Sequence, residues 1–158
     1  MFGGELHPFV IHFAVGLLLI APICDVLGLF LRREALLYAG RWTTLLGVVA
    51  AALSIATGFG AEAALGPHSA AGEALLNLHR ALSLVVFAVW LPVAVWRILS
   101  KLPLPLRGRT LYLAAAFTGG VLLTVQAALG NALVYRHGVG LSPAARAEPV
   151  IRASSQPR

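Results

Sequence analysis

Long apolar runs separated by short polar clusters organise this chain. Four of the runs are long enough to cross about 30 Å of hydrocarbon, which takes roughly 20 helical residues: Phe9 to Leu31, Trp42 to Ala64, Leu75 to Leu99 and Leu111 to Val134. Short connections make consecutive spans antiparallel, so the pattern predicts an all-α, integral membrane four-helix bundle threaded up-down-up-down within residues 1–141. The first run is not a cleaved signal peptide, because the leading MFGGELHP carries no Lys or Arg and the run exceeds an h-region in length. Pro8 suits the first turn of helix 1, while Pro22 and Gly28 soften its far end. Leu102-Pro103-Leu104-Pro105 predicts a short extended connector. From Ser142 the sequence SPAARAEPVIRASSQPR is polar and rich in Pro, Ala and Ser, and residues 142–158 read as a mobile tail.

Composition narrows the function classes. Of 158 residues, 59% are hydrophobic and 11% charged, with a mean hydropathy of +0.85, where a soluble domain has about a quarter of its residues charged. A water-soluble enzyme is excluded. The net charge of +6 does not indicate a nucleic-acid reader, because the 12 basic residues are spread over connections and the tail. The single cysteine, Cys24, excludes an internal disulfide and a thiolate metal cluster. No nucleophile signature, phosphate loop or paired-carboxylate arrangement stands out.

The basic residues do set an orientation. Arg32, Arg33, Arg41, Arg97, Lys101, Arg107 and Arg109 fall in or beside the 1–2 and 3–4 connections, whereas the N-terminal segment has none. The positive-inside rule then places both termini outside, which in a bacterial inner membrane is the periplasmic side.

All five histidines fall at that outer end: His7 before helix 1, His12 a turn inside it, His68 in the 2–3 connection, His79 just inside helix 3 and His137 after helix 4. A single histidine at a membrane boundary is ordinarily an interfacial residue, and His68 reads as solvated surface. Jointly the others suggest a site, because imidazole binds metals and serves as an axial ligand of haem iron. His12 and His79 form the expected axial pair, being inside their helices. His7 and His137 form a second pair, for another haem or in support of the first. Arg80 and Arg136 adjoin His79 and His137 and are candidates to hold haem propionates. Small-residue stripes are expected to line helix 2 (Gly47, Ala51, Ser54, Gly58) and helix 4 (Gly120, Thr124, Ala127, Asn131). Gly16 and Ser83 lie one turn below His12 and His79. Asp25, at the inner part of helix 1, needs a partner such as Arg41 or Arg109. Trp42, Trp90, Trp96 and Tyr112 read as an interfacial belt.

The expected function is therefore electron transfer by one or two b-type haems near the outer face, to or from a protein partner or quinone. A histidine site for copper or zinc is the first alternative, although carboxylates and sulfur are sparse beside it. A cofactor-free subunit of a larger membrane redox complex is the second, and a homo-oligomer is open.

Leu6-His7-Pro8-Phe9-Val10-Ile11-His12-Phe13 and Leu133-Val134-Tyr135-Arg136-His137-Gly138-Val139-Gly140 resemble the two signatures of the bacterial four-span membrane family catalogued as domain of unknown function 2231. Asp25 and His79 fall where that family usually has an acid and a histidine, so the likeness reaches about Leu141. Two departures are Ala14, where the family commonly has proline, and Asn131, where a second glycine usually follows Gly130. Members joined to Rieske-type or cytochrome c-like modules imply redox company on the outer face.

Overall fold

Each apolar run becomes one helix, and each helix outlasts the run that predicts it. The computed structural model describes residues 6–100, 104 and 108–141. The helices are α1 (Leu6–Phe30), α2 (Glu34–Ala63), α3 (Ala70–Leu99) and α4 (Arg109–His137), all long and apolar enough to cross a membrane. The extensions arise because backbone hydrogen bonding continues past the ends of the apolar runs. They bring His7 into the first turn of α1, and His137 becomes the last residue of α4, where the sequence suggested flanking positions. The tail at 142–158 and most of the Leu102–Pro105 connector lie outside the described residues, although Leu104 is buried.

Successive helices pack side by side and α1 closes against α4, leaving α1 and α3 on one diagonal and α2 and α4 on the other. The α1–α2 link is three residues long. Arg32 takes a left-handed φ of 51°, and the Arg33 N–H returns to the Gly28 carbonyl at 2.9 Å, satisfying an end carbonyl of α1. Ser69 caps α3 by accepting from the Gly72 N–H at 3.1 Å. Pro22 is buried inside a helix that runs on through it, as does Ala14, so the missing proline at 14 leaves α1 unbroken.

Glycines set how closely α1 and α2 approach. A Cβ added to Gly47 would stand 2.6 Å from the Leu18 side chain, one on Gly28 would stand 2.7 Å from Leu37, and one on Gly40 would run into the Asp25 carboxylate. The expected stripe on α2 thus faces inward. On α4 it does not: Thr124 and Asn131 are exposed, and the buried face is Tyr112, Ala116, Gly119, Gly120, Leu123, Gln126 and Leu133. Helical contacts select a face as a whole, so large and polar side chains share it with small ones. The aromatic belt is likewise corrected. Trp90 is fully buried against Gly119 and Tyr112 is buried at the bundle end, whereas Trp42 is exposed.

At the basic end of the bundle one polar cluster joins all four helices. Asp25 of α1 accepts from the Arg97 guanidinium of α3 at 2.6 Å and from the Tyr112 hydroxyl of α4 at 2.7 Å. Arg97 also donates to the Leu37 carbonyl of α2, and its guanidinium lies 5.6 Å from the centre of the Tyr112 ring. Asp25 and Arg97 are 0% and 1% exposed, so each neutralises a charge that hydrocarbon would otherwise penalise. The carboxylate's partner is therefore neither Arg41, which donates to the Ser100 and Ile98 carbonyls, nor Arg109. Arg97 reads as a loop charge in the sequence, but α3 carries it to a buried position in its last turn, three residues before the Ser100 cap.

Replacing Asp25 by alanine leaves a buried, unpaired guanidinium and is expected to cost about 3–5 kcal/mol. The double variant Asp25→Asn/Arg97→Met should lose less than the sum of its two single variants. Thermal unfolding of the detergent-solubilised protein measures both.

Candidate functional site

At the opposite end polar side chains of all four helices gather at one level in two hydrogen-bonded groups, one between α1 and α2 and one between α3 and α4. His7 of α1 directs Nδ1 at the Ser54 carbonyl of α2, 2.9 Å away, with the Thr57 hydroxyl at 3.4 Å. Since a carbonyl only accepts, Nδ1 carries the proton, and Nε2 keeps its lone pair. His79 of α3 is buried. The Gln126 amide of α4 donates to its Nε2 at 3.1 Å and to the Ser83 hydroxyl at 2.7 Å, and Ser83 donates to the His79 carbonyl at 2.7 Å.

Glycines back both rings. A Cβ on Gly58 would lie 3.2 Å from Cε1 of His7, and one on Gly130 would lie 3.0 Å from Cε1 of His79. Any larger residue at either place would require the ring to give way. The exposed Asn131 does not shape this surface, so the second departure from the family pattern is neutral here.

A common register produces both clusters. Residues 7 and 25 of α1, 40 and 58 of α2, 79 and 97 of α3, and 112 and 130 of α4 are each eighteen apart. Eighteen residues are five full helical turns, so both members of each pair share a face, and they lie about 27 Å apart, close to the hydrocarbon thickness. The helices α1 and α3 run parallel, so pairing Asp25 with Arg97 at one end brings His7 to the level of His79 at the other.

The predicted site residues separate on this frame. His12 is exposed on the outer face of α1, its Nδ1 against the Pro8 carbonyl, about 140° around the helix from His7. The structure thus does not bring His12 and His79 together; His7 is the α1 imidazole at the level of His79, set against Ser54 and Gly58 of α2. His137 ends α4 beside Gly72, whose added Cβ would lie 3.5 Å from its own. No hydrogen bond joins it to His7 among the described residues. Arg80 is held by Glu62 at 2.7 Å and by Asn77, and Arg136 is exposed with no ion pair among the described residues. His68 lies 2.7 Å from Glu73 in the connection. Gln126, Ser54 and Thr57 of the cluster were missed as partners of the imidazoles; a glutamine within an apolar run was the available signal for the first.

The donor set bears on what the site can hold. Two imidazoles from opposed helices, His79 buried and His7 half-buried, are donors that could hold a haem iron: Nε2 of His7 has no hydrogen-bond partner among the described residues, and its Nδ1 is anchored to a carbonyl as metal-ligating histidines commonly are. Gln126 is the group that would yield Nε2 of His79. Beside His7, the buried Ser54 hydroxyl has no hydrogen-bond partner among the described residues. A bare zinc or copper site needs three or four ligands, and among the described residues no three His, Cys, Asp or Glu side chains converge.

Gln126→Leu removes the donor to a buried ring nitrogen and to Ser83. It should lower stability by about 1–3 kcal/mol, against less than about 0.5 kcal/mol for the exposed Asn131→Ala, read from thermal unfolding in detergent.

Neither the curated proteins nor the solved structures compared with the chain include a match. A family model does match, over residues 3–143, which takes in all four helices and both polar clusters. The chain belongs to the family described as predicted membrane protein (DUF2231), and as a four-span bundle its environment is the lipid bilayer.

Proposed function

We propose that this protein is an electron-transfer module of the membrane, holding a b-type haem between His7 and His79 at the end of the bundle away from the basic connections. The observation that carries the reading is that two imidazoles from diagonal helices, His79 buried and His7 half-buried, stand at one level of the bundle, each backed by a glycine. A haem gripped by two imidazoles supplies one-electron chemistry at an iron with no open position. The chain's own residues do the rest. The Ser54 carbonyl fixes the His7 ring with Nε2 directed away from the backbone, Gln126 and Ser83 hold the His79 region in place, and lipid-facing side chains keep water from the sides of the bundle. Arg136, exposed at this end and in no ion pair among the described residues, is the cation suited to a propionate; Arg80 is already matched by Glu62.

The positive-inside asymmetry supports a bacterial inner-membrane location with both termini periplasmic, and so a partner on the outer face, either a cytochrome c-like or Rieske-like protein or a quinone. A second reading rests on the hydrogen bonds that both imidazoles already make: a cofactor-free subunit of a larger redox complex in which His7 and His79 lock the outer end. The copper or zinc reading has two imidazoles behind it and no third ligand among the described residues.

The optical spectrum of the detergent-purified protein decides between them. The haem reading predicts a Soret band that shifts with dithionite and a positive pyridine-haemochrome assay. His7→Ala and His79→Ala should each lose the pigment, and His12→Ala should keep it. A colourless protein from haem-replete cells contradicts the reading, as does pigment that depends on His12 but not on His7.

A further inference from the structure

Of the neighbouring helix pairs, α1 and α4 pack least closely, and at the basic end they part to leave an open groove of about 450 Å³. Val26, Leu29 and Phe30 of α1 and Leu113 of α4 form its apolar walls; Arg109 and Thr110 stand at its lip, where α4 begins. Phe30 is 81% exposed, so the outer wall of the groove faces the membrane. The lip is electropositive for two separate reasons. Arg109, and Arg32 and Arg33 in the adjacent α1–α2 turn, form no ion pair among the described residues. The N-cap of α4 is Gly108, which offers no side chain to the open first-turn N–H groups. Asp25 cannot neutralise the lip, because it is committed to Arg97 and Tyr112.

We propose that this groove seats an anionic phospholipid of the adjoining leaflet, one acyl chain along the apolar walls and the phosphate on Arg109 and Thr110. Charge complementarity selects this occupant. A zwitterionic lipid carries its own compensating cation and gains less from three unpaired arginines, and a free phosphate leaves the apolar walls uncovered. A lipid seated there would fill the gap between α1 and α4 beside the Asp25 cluster. The proposal is independent of the haem reading, since it concerns the other end of the bundle.

Native mass spectrometry of the full chain in dodecylmaltoside, with equimolar dioleoyl-phosphatidylglycerol and dioleoyl-phosphatidylcholine, tests it. One phosphatidylglycerol should be retained with about a tenfold preference, a difference of about 1.4 kcal/mol. Arg109→Gln and Phe30→Gln should each bring that preference close to unity. Both positions lie outside the buried core, and an unchanged helical circular dichroism spectrum checks that the variants remain folded. Equal retention of the two lipids by the unaltered chain overturns the proposal. So does a preference lost in Arg109→Gln but kept in Phe30→Gln, which is surface electrostatics without a groove, or displacement of the lipid by an equal concentration of inorganic phosphate.

Discussion

The Asp25–Arg97 pair is the interaction on which the rest of the bundle depends. Apolar helices in lipid have little reason to prefer one vertical offset over another, because tails and side chains are alike in polarity. A buried carboxylate and guanidinium do have such a reason: any slide along the helix axis separates them in a medium where separation is costly. Because the pair joins the diagonal helices, it fixes an offset that neighbour packing alone would leave free. Tyr112 and the Leu37 carbonyl then tie α4 and α2 to the same level.

Eighteen-residue spacing carries that offset to the other end. Each helix places one functional position at the Asp25 cluster and another five turns away at the imidazoles, with glycine at three of the eight positions: Gly40, Gly58 and Gly130. Between the two polar levels the interior is Leu18, Val48, Ala51, Val86, Trp90 and Leu123, side chains that fill space without specifying alignment. The protein thus resembles a frame with two polar cross-ties separated by an apolar middle.

Much of this frame is legible in the sequence. Apolar run length yields the four spans, the two end motifs yield the family, and the collection of histidines at one end marks the end where His7 and His79 stand at one level. The pairing within that half is less visible. His12 attracts attention because it lies deeper in the apolar run than His7, yet depth does not determine which way a side chain faces. Rotation does, and the register of residues 7 and 25 gives the rotation once Asp25 is known to face inward. Arg97 is hidden for a related reason. Lying among the basic residues that mark one end of the bundle, it reads as one more surface charge, and only its eighteen-residue distance from His79 distinguishes it. Gln126 and the true inner face of α4 are harder still, because that helix carries small residues on more than one side and has almost no amphipathic bias.

Whether residues 7 and 79 meet inside the bundle can be measured in the native membrane, with no assumption about a cofactor. In a Cys24→Ser background, paired cysteines at 7 and 79 are treated with a short bifunctional thiol reagent, beside a second pair at 12 and 79. Intramolecular bridging of the first pair and none of the second is the predicted result; bridging of 12 to 79 without 7 to 79 would contradict the account at its centre.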